Sequence, residues 1–189
     1  VTQGIFDLQK SIPAGTTEVT PGDQVTYQLS VTVAEGETTN LSIVDTLPDG
    51  VSLVSGSEVL NANGVALSNY SFSESGGVIT ISADSVFLAG SVDDSETLDT
   101  ATFTITYTVD VTNDAVNVTN GANLINDADG SVDELPPDND NQVTVTVVEP
   151  VLEFSKVLNA GPTVGDAGDV FSYTFTVNHT GASTTDAFD

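Results

Sequence analysis

The feature that most constrains this fold is a strict alternation of apolar and polar residues at positions 24–33, which read QVTYQLSVTV. A period of two places successive side chains on opposite faces of a β-strand, so the segment predicts a strand with one buried face. Residues 102–109 and 142–147 alternate in the same way, and turn sequences such as PGD at 21–23 and NG at 63–64 separate such segments. No helical stripe competes with this pattern. We therefore expect an all-β chain folded as an immunoglobulin-like β-sandwich of about seven to nine strands.

A second copy of the first strands is present near the end of the sequence. FDLQK at 6–10 matches LEFSK at 152–156, and GDQVTY at 22–27 matches GDVFSY at 168–173. Lys10 and Lys156, which end the first match, are 146 positions apart, and the second match has the same offset. The repeat predicts one complete sandwich module, a short joint and the first strands of a second, truncated copy, at residues 1–148, 149–151 and 152–189.

Acidic residues dominate the charge of the chain. The sequence has 28 Asp and Glu against two Lys and Arg, a formal net charge of −26. Such a chain repels phosphate backbones and anionic lipids, so nucleic acid is excluded as a partner. No apolar run approaches the ~20 residues of a membrane span, and we expect no direct membrane insertion of this segment. Without cysteine the chain has neither disulfides nor thiolate metal sites.

Several segments resemble a bacterial family of conserved repeats, the immunoglobulin-like domain of unknown function eleven, which occurs in tandem in large cell-surface proteins. The resemblance is carried, in the order of the family, by PGDQVTY, IVDTLPDG, NGANLI and DNDN followed by VTV, at residues 21–27, 43–50, 120–125 and 138–145. The first module departs from the family at residues 33–36, whereas the second keeps the family pattern at 178–181. The resemblance implies an immunoglobulin-like fold and an extracellular, cell-surface or secreted location. It implies neither a reaction nor a ligand.

An acidic segment late in the first module is typical of a calcium site. Residues 126–134 read NDADGSVDE and are followed closely by DNDN at 138–141. Calcium takes six to eight oxygen ligands, which carboxylates around a glycine can supply from a loop. The predicted metal ligands are Asp127, Asp129, Asp133, Glu134, Asp138 and Asp140. The alternative is a set of turns rich in Asp and Asn. A second, weaker acidic cluster lies at residues 93–96.

The two lysines occupy equivalent positions in the two copies. One interpretation is an intramolecular isopeptide bond from Lys10 to an asparagine on a late strand, Asn123 or Asn141, assisted by a buried acid such as Asp45. Bonds of this kind occur in other bacterial immunoglobulin-like surface modules and would replace the missing disulfides. The alternative is that Lys10 pairs with a carboxylate or protects a sheet edge from association.

No set of catalytic residues can be assembled from this sequence. The only histidine is His179, and no cysteine is present, so nucleophilic constellations lack their parts. We expect no enzyme. The predicted function is a structural repeat of an adhesin stalk or extracellular filament, rigidified by calcium, whose partners are neighbouring repeats and other copies in a filament. The alternative is a binding module that recognises a partner protein or a surface glycan through loops at the end of the sandwich.

Overall fold

The computed structural model describes residues 4–90, 99–113, 121–149, 151–161 and 163–180. Regular structure in these residues is entirely β, and none of them forms a helix that could cross a membrane. The strands are β1 (Phe6–Ser11), β2 (Glu18–Val19), β3 (Gln24–Ala34), β4 (Gly36–Thr46), β5 (Val51–Leu53), β6 (Val59–Asn61), β7 (Ala66–Ser68), β8 (Ser71–Ser75), β9 (Val78–Leu88), β10 (Thr100–Val111), β11 (Asn123–Ser131), β12 (Asp138–Val147), β13 (Val151–Ala160) and β14 (Ser172–Thr180). The all-β prediction is confirmed.

Strands β1 to β12 form two sheets. The first has the order β1-β3-β10-β5, with β6 also paired to β10; the second has the order β2-β12-β11-β4-β9-β7, with β8 also paired to β9. Fully buried side chains from both sheets form one core, among them Leu29 and Ile105 from the first sheet and Ile81 and Leu124 from the second. Two sheets that enclose a common core are a β-sandwich, as the alternation of apolar residues predicts.

Several strands of the two sheets are short and are separated by single residues with a positive φ. The two sheets contain five and seven described strands, more than the seven to nine expected in total. The segment 52–60 is divided between β5 and β6 around Gly56, whose φ is 73°, and 66–72 is divided between β7 and β8 around Asn69, whose φ is 50°. A positive φ does not continue a strand, so each of these residues ends one short strand before the next begins.

Strand β11 contains the start of the acidic segment. Residues 126–131, expected to begin an acidic loop, are its last six residues and pair with β12 on one side and β4 on the other. Gly130 permits β1 to approach, because a Cβ there would lie 2.8 Å from Cζ of Phe6 and 2.9 Å from Cδ2 of Leu8. The expectation of a loop at these residues is wrong, because pairing on both sides outweighs the local turn preference of Asp, Asn and Gly.

Strands β13 and β14 form a separate two-stranded sheet that repeats the register of β1 and β3. Lys10 lies opposite Leu29, and Lys156 lies opposite Phe175. All six residue pairs of β1 and β3 recur in β13 and β14 with the offset of 146 found in the sequence. The repeat is therefore structural as well as sequential. The division at residues 148 and 152 stays a prediction.

Candidate functional site

Four buried polar side chains meet in the core, each supplied by a different strand. Lys10 comes from β1 and Tyr107 from β10 in the first sheet, while Asp45 comes from β4 and Asn126 from β11 in the second. The side chains of Lys10 and Asp45 have no solvent exposure, and Tyr107 and Asn126 are also fully buried. The period of two explains each position, because Lys10 shares the inward face of β1 with Leu8 and Asn126 shares that of β11 with Leu124.

The hydroxyl group of Tyr107 is the hub of this cluster. It donates a hydrogen bond to Oδ2 of Asp45 at 2.5 Å, and it accepts one from Nδ2 of Asn126 at 2.9 Å and one from Nζ of Lys10 at 3.1 Å. Lys10 Nζ also lies 2.5 Å from Oδ2 of Asp45. The amine of Lys10 and the amide of Asn126 therefore contact the same oxygen atom, and they come from opposite sheets of the sandwich.

Burial moves the lysine and the aspartate towards their neutral forms. Loss of solvation lowers the pKa of Lys10 from 10.5 to about 8, although the adjacent Asp45 opposes this shift. Loss of solvation also raises the pKa of Asp45, against the pull of Lys10 and of the hydrogen bond from Tyr107. Desolvation of the amine and of the carboxyl group therefore makes proton transfer from Lys10 to Asp45 easier than it is in water. The uncharged amine is a nucleophile, and the uncharged carboxyl is an acid.

Two oxygen atoms of the cluster lack hydrogen-bond partners among the described residues. They are Oδ1 of Asp45 and Oδ1 of Asn126, and both are buried. An unsatisfied buried acceptor costs about 1–3 kcal/mol, so native structures contain few of them, and a catalytic role is one reason for retaining such a group. The side-chain carbonyl oxygen of Asn126 is therefore buried without a hydrogen-bond donor among the described residues.

The asparagine at this centre is Asn126 and neither of the two selected from the sequence. Asn123 is exposed and its Oδ1 accepts a hydrogen bond from Thr146. Asn141 is half-buried and its Nδ2 donates to Asp138. Of the predicted isopeptide residues, the structure therefore brings together Lys10 and Asp45. It also excludes an edge-protecting role for Lys10, because the lysine side chain is completely buried.

The second copy preserves part of this environment. Lys10 Nζ lies 5.2 Å from the ring centroid of Tyr27 on β3. In the repeat, Lys156 Nζ lies 4.1 Å from the ring centroid of Tyr173, which is the counterpart of Tyr27 at the same offset. A cation over an aromatic face is favourable. In each copy, the first two strands therefore suffice to place the lysine against the equivalent tyrosine.

The first predicted calcium ligands are distributed over a strand and the turn that follows it. Asp127 and Asp129 lie on the face of β11 opposite to Asn126, and Asp129 is exposed. Asp133 accepts hydrogen bonds from Thr39 at 3.0 Å and Asn40 at 2.6 Å. Glu134 follows with a positive φ of 63°. These carboxylates do not all face the same point.

The remaining predicted ligands lie at the start of β12. Asp138 accepts a hydrogen bond from the backbone N–H of Leu8 at 2.8 Å, which ties β12 to β1. Asp140 belongs to β12, but its side chain lies outside the described residues, as do residues 93–96 entirely. Among the described side chains, no group of three or more acidic or histidine residues is arranged to hold a metal ion. The calcium hypothesis stays a prediction of the sequence.

Calcium binding predicts a metal-specific gain in stability. If the site forms, calcium at 100 times its dissociation constant stabilises the fold by about 2.7 kcal/mol. For a chain of this size, that raises the melting temperature by about 5–10 °C. We expect the shift in differential scanning calorimetry with calcium and not with an equal concentration of magnesium, and we expect Asp129→Asn to reduce it. Identical melting curves in the two ions would remove the hypothesis.

Comparison with known proteins identifies the fold. No family model matches the chain, and no curated protein matches its sequence. Solved structures do match. The pilus backbone protein RrgB of Streptococcus pneumoniae is 12% identical, with a TM-score of 0.52 over 70% of this chain and 32% of that structure. The fold is that of pilin and adhesin domains.

Two further structures agree with this assignment. The major pilin subunit BcpA of Bacillus cereus is 15% identical, with a TM-score of 0.51 over 94% of this chain and 56% of that structure. The N-terminal domain of the Streptococcus gordonii adhesin Sgo0707 is 15% identical, with a TM-score of 0.53 over 75% of this chain and 32% of that structure. The chain thus spans about a third to just over half of the length of these structures. The immunoglobulin-like prediction is confirmed at the level of the fold.

Proposed function

We propose that this chain is a structural module of an extracellular surface filament or adhesin stalk, and that an amide bond between Lys10 and Asn126 fastens its two sheets together. The observation that carries the proposal is the buried contact of both side chains with the Tyr107 hydroxyl, beside the buried Asp45. The fold shared with pilin and adhesin domains supports the structural role. The proposal includes a cell-surface or secreted location, membership of the repeat family resembled by the sequence, and no catalysis on an external substrate.

The cross-linking reaction needs only groups that the centre contains. One proton moves from Nζ of Lys10 to Oδ2 of Asp45, which gives a neutral amine and a carboxylic acid without any change in the total number of protons. The amine attacks Cγ of Asn126, the new C–N bond forms, and the bond from Cγ to Nδ2 breaks. The amine nitrogen loses a proton as it becomes the amide, the departing Nδ2 gains one, and ammonia leaves; Asp45 ends with the single proton that came from the Lys10 ammonium. The reaction involves no oxidant and no cofactor.

The position of the bond suits a module that bears tension. β1 contains the lysine near the start of the module, and β11 contains the asparagine one strand before β12 ends it. Force applied to the two ends would pass along β1, through the amide bond and out through β11 and β12. The segment between residues 10 and 126, which includes most of the sandwich, is then outside the covalent load path. Unfolding of that segment cannot lengthen the module under load.

Intact mass spectrometry tests the bond directly. We expect the folded chain to be lighter than its sequence by the mass of one ammonia, and Asn126→Ala to have its full calculated mass. Trypsin supplies an internal control, because Lys10 and Lys156 are the only cleavage sites in the chain. After denaturation, trypsin should cut after Lys156 and not after the acylated Lys10. An unmodified mass together with cleavage at both lysines would leave Lys10 as one partner of a simple buried ion pair.

A groove at one end of the sandwich favours the binding module as a second candidate. Its volume is about 530 Å³, and it opens between the start of β1 and the segment that precedes β12. Leu135, Pro136 and Pro137 line one wall, and Gly4 and Phe6 line the other. Asp138 and Asn139 add polar groups to this apolar lining, and polar groups placed among apolar side chains orient the ligand in many binding sites. Screening the chain against surface glycans and matrix proteins tests this candidate, which predicts that Leu135→Asp abolishes any binding found.

A further inference from the structure

The departure of ammonia requires a proton donor at Nδ2 of Asn126. An amide nitrogen does not leave as an anion, so a proton must reach it as its bond to Cγ breaks. Nδ2 makes its hydrogen bond to the hydroxyl oxygen of Tyr107, at 2.9 Å. The acid of the centre, Oδ2 of Asp45, lies on the other side of that same hydroxyl, at 2.5 Å.

We propose that Tyr107 is a catalytic residue of cross-link formation and relays a proton from the carboxyl group of Asp45 to the departing nitrogen of Asn126. The inference rests on the proposed cross-link and assigns the group through which its leaving nitrogen is protonated. Tyr107 contacts both nitrogen atoms whose bonds change, since Lys10 Nζ lies 3.1 Å from the same oxygen. Tyr107 is therefore positioned to take part in the reaction as well as to fill the core.

The protons balance through the relay. Protonation of Oδ2 of Asp45 reverses the two hydrogen bonds of the resting centre, so that Asp45 donates to the phenolic oxygen and the Tyr107 hydroxyl donates to Nδ2. As the bond from Cγ to Nδ2 breaks, the phenolic proton of Tyr107 moves to Nδ2 and the proton on Oδ2 of Asp45 moves to the phenolic oxygen. Asp45 recovers a proton from the amine nitrogen of Lys10, which must lose one to become an amide. The products are the Lys10–Asn126 amide and ammonia. At the end, Tyr107 is again protonated, and Asp45 carries a proton that came from Lys10.

The two transfers through Tyr107 must be concerted. Burial, together with the neighbouring Asp45, raises the pKa of Tyr107 far above its ordinary value. A free phenolate is therefore too unfavourable to form as an intermediate. Each proton that leaves the hydroxyl must be replaced as it goes, and the short hydrogen bond to Asp45 provides that replacement.

Tyr27 is the matched control that the core offers. Its ring centroid lies 5.6 Å from that of Tyr107, on the adjacent strand β3, and both side chains are fully buried. Tyr27 also lies near Asn126, yet its hydroxyl makes no hydrogen bond within the described residues. Tyr27→Phe removes the same hydroxyl group from the same core without touching the bond to Asp45.

The experiment follows ammonia loss in time. Full-length chain purified unfolded from inclusion bodies is refolded by dilution, circular dichroism reports when folding is complete, and intact mass is measured afterwards at intervals. We expect wild type and Tyr27→Phe to lose ammonia at similar rates. We expect Tyr107→Phe to react at least ~100-fold more slowly, which is the usual contribution of a positioned proton donor.

The outcomes separate the relay from the cross-link itself. If wild type never loses ammonia, the cross-link is disproved and the relay with it. If wild type reacts and Tyr107→Phe keeps pace with Tyr27→Phe, the cross-link stands and the relay is overturned. If Tyr107→Phe does not fold, the rate of ammonia loss from the wild-type chain in mixtures of light and heavy water gives an independent test of the relay. A rate that falls quadratically with the deuterium fraction of the solvent indicates two protons in flight, and a linear fall contradicts the relay.

Discussion

Asn126→Ala is expected to lower the free energy of unfolding by about 5 kcal/mol, which is far more than the loss of one buried amide. The cross-link from Lys10 to Asn126 closes a loop of roughly 100 residues in the unfolded chain, and a covalent closure of that length restricts the unfolded ensemble by about 4.7 kcal/mol. For a chain of this size, the melting temperature should fall by about 10–20 °C. Urea denaturation monitored by circular dichroism measures the loss.

A double-mutant cycle separates the bond from the local packing of Asn126. Lys10→Ala and Asn126→Ala each remove the same cross-link, so the double variant should lose about 5 kcal/mol less than the sum of the two single losses. Contact through Tyr107 alone would give a coupling of about 0.5–3 kcal/mol. Asn123→Ala is the control on the same strand, since Asn123 is exposed and should change stability by less than about 0.5 kcal/mol. A coupling in the lower range would contradict the cross-link.

The architecture was predictable where one pattern repeated over a long segment. The alternation at 24–33 and 102–109 predicted β3 and β10, which form the centre of the first sheet. The shared offset of 146 residues predicted a second copy, and the register of β13 and β14 repeats that of β1 and β3. Both signals depend on regular backbone geometry, which local sequence largely determines. The boundaries of the short strands β5 to β8 could not be predicted from this pattern, because single residues with a positive φ decide where each strand ends.

The centre was predictable only in part. The sequence predicted a cross-link at Lys10 assisted by a buried acid such as Asp45, because the two lysines occupy equivalent positions on the first strands. It placed Asn126 in an acidic loop instead. Continuing the alternation of β11 from Leu124 would have placed Asn126 inward and Asn123 outward, which is the arrangement observed. Asn141 shows where parity alone is insufficient. It has the inward parity of Val145, yet it bonds to Asp138 near the start of its strand, where the pairing with β11 shifts in register.

Replacing Asp45 by alanine in a chain that already carries Asn126→Ala is expected to cost a further 3–5 kcal/mol or so at pH 7. Neither chain contains a cross-link, so the difference measures the loss of the carboxylate that Lys10 contacts at 2.5 Å. Removing one member of a buried pair leaves the other charge without compensation in a medium that solvates it poorly. Asp84→Ala is the control, because Asp84 is exposed and bonds only to Asn69 among the described contacts. Sodium sulfate can be added to keep both chains folded.

The pH dependence of this loss identifies the lysine as its cause. Besides Asp45, the titratable groups that act around Lys10 are Asp127 and the two buried tyrosines. Without Asp45, burial holds the pKa of Lys10 further below the 10.5 of the unfolded chain. The unfolded chain then binds more protons between the two values, so stability rises with pH across that window. Uncharging Lys10 costs about 1.4 kcal/mol per pH unit below its unfolded pKa, so an uncharged Lys10 lowers the stability of the chain without Asp45 by about 5 kcal/mol at pH 7 and about 2 kcal/mol at pH 9. In the Asn126→Ala reference chain, Lys10 has a pKa of about 8 and also loses its proton in this window, which recovers about 1.4 kcal/mol there. Urea titrations at the two pH values should therefore show the difference between the chains shrinking by about 1.4 kcal/mol, whereas a constant difference would mean that the loss reflects packing and not the buried charge of Lys10.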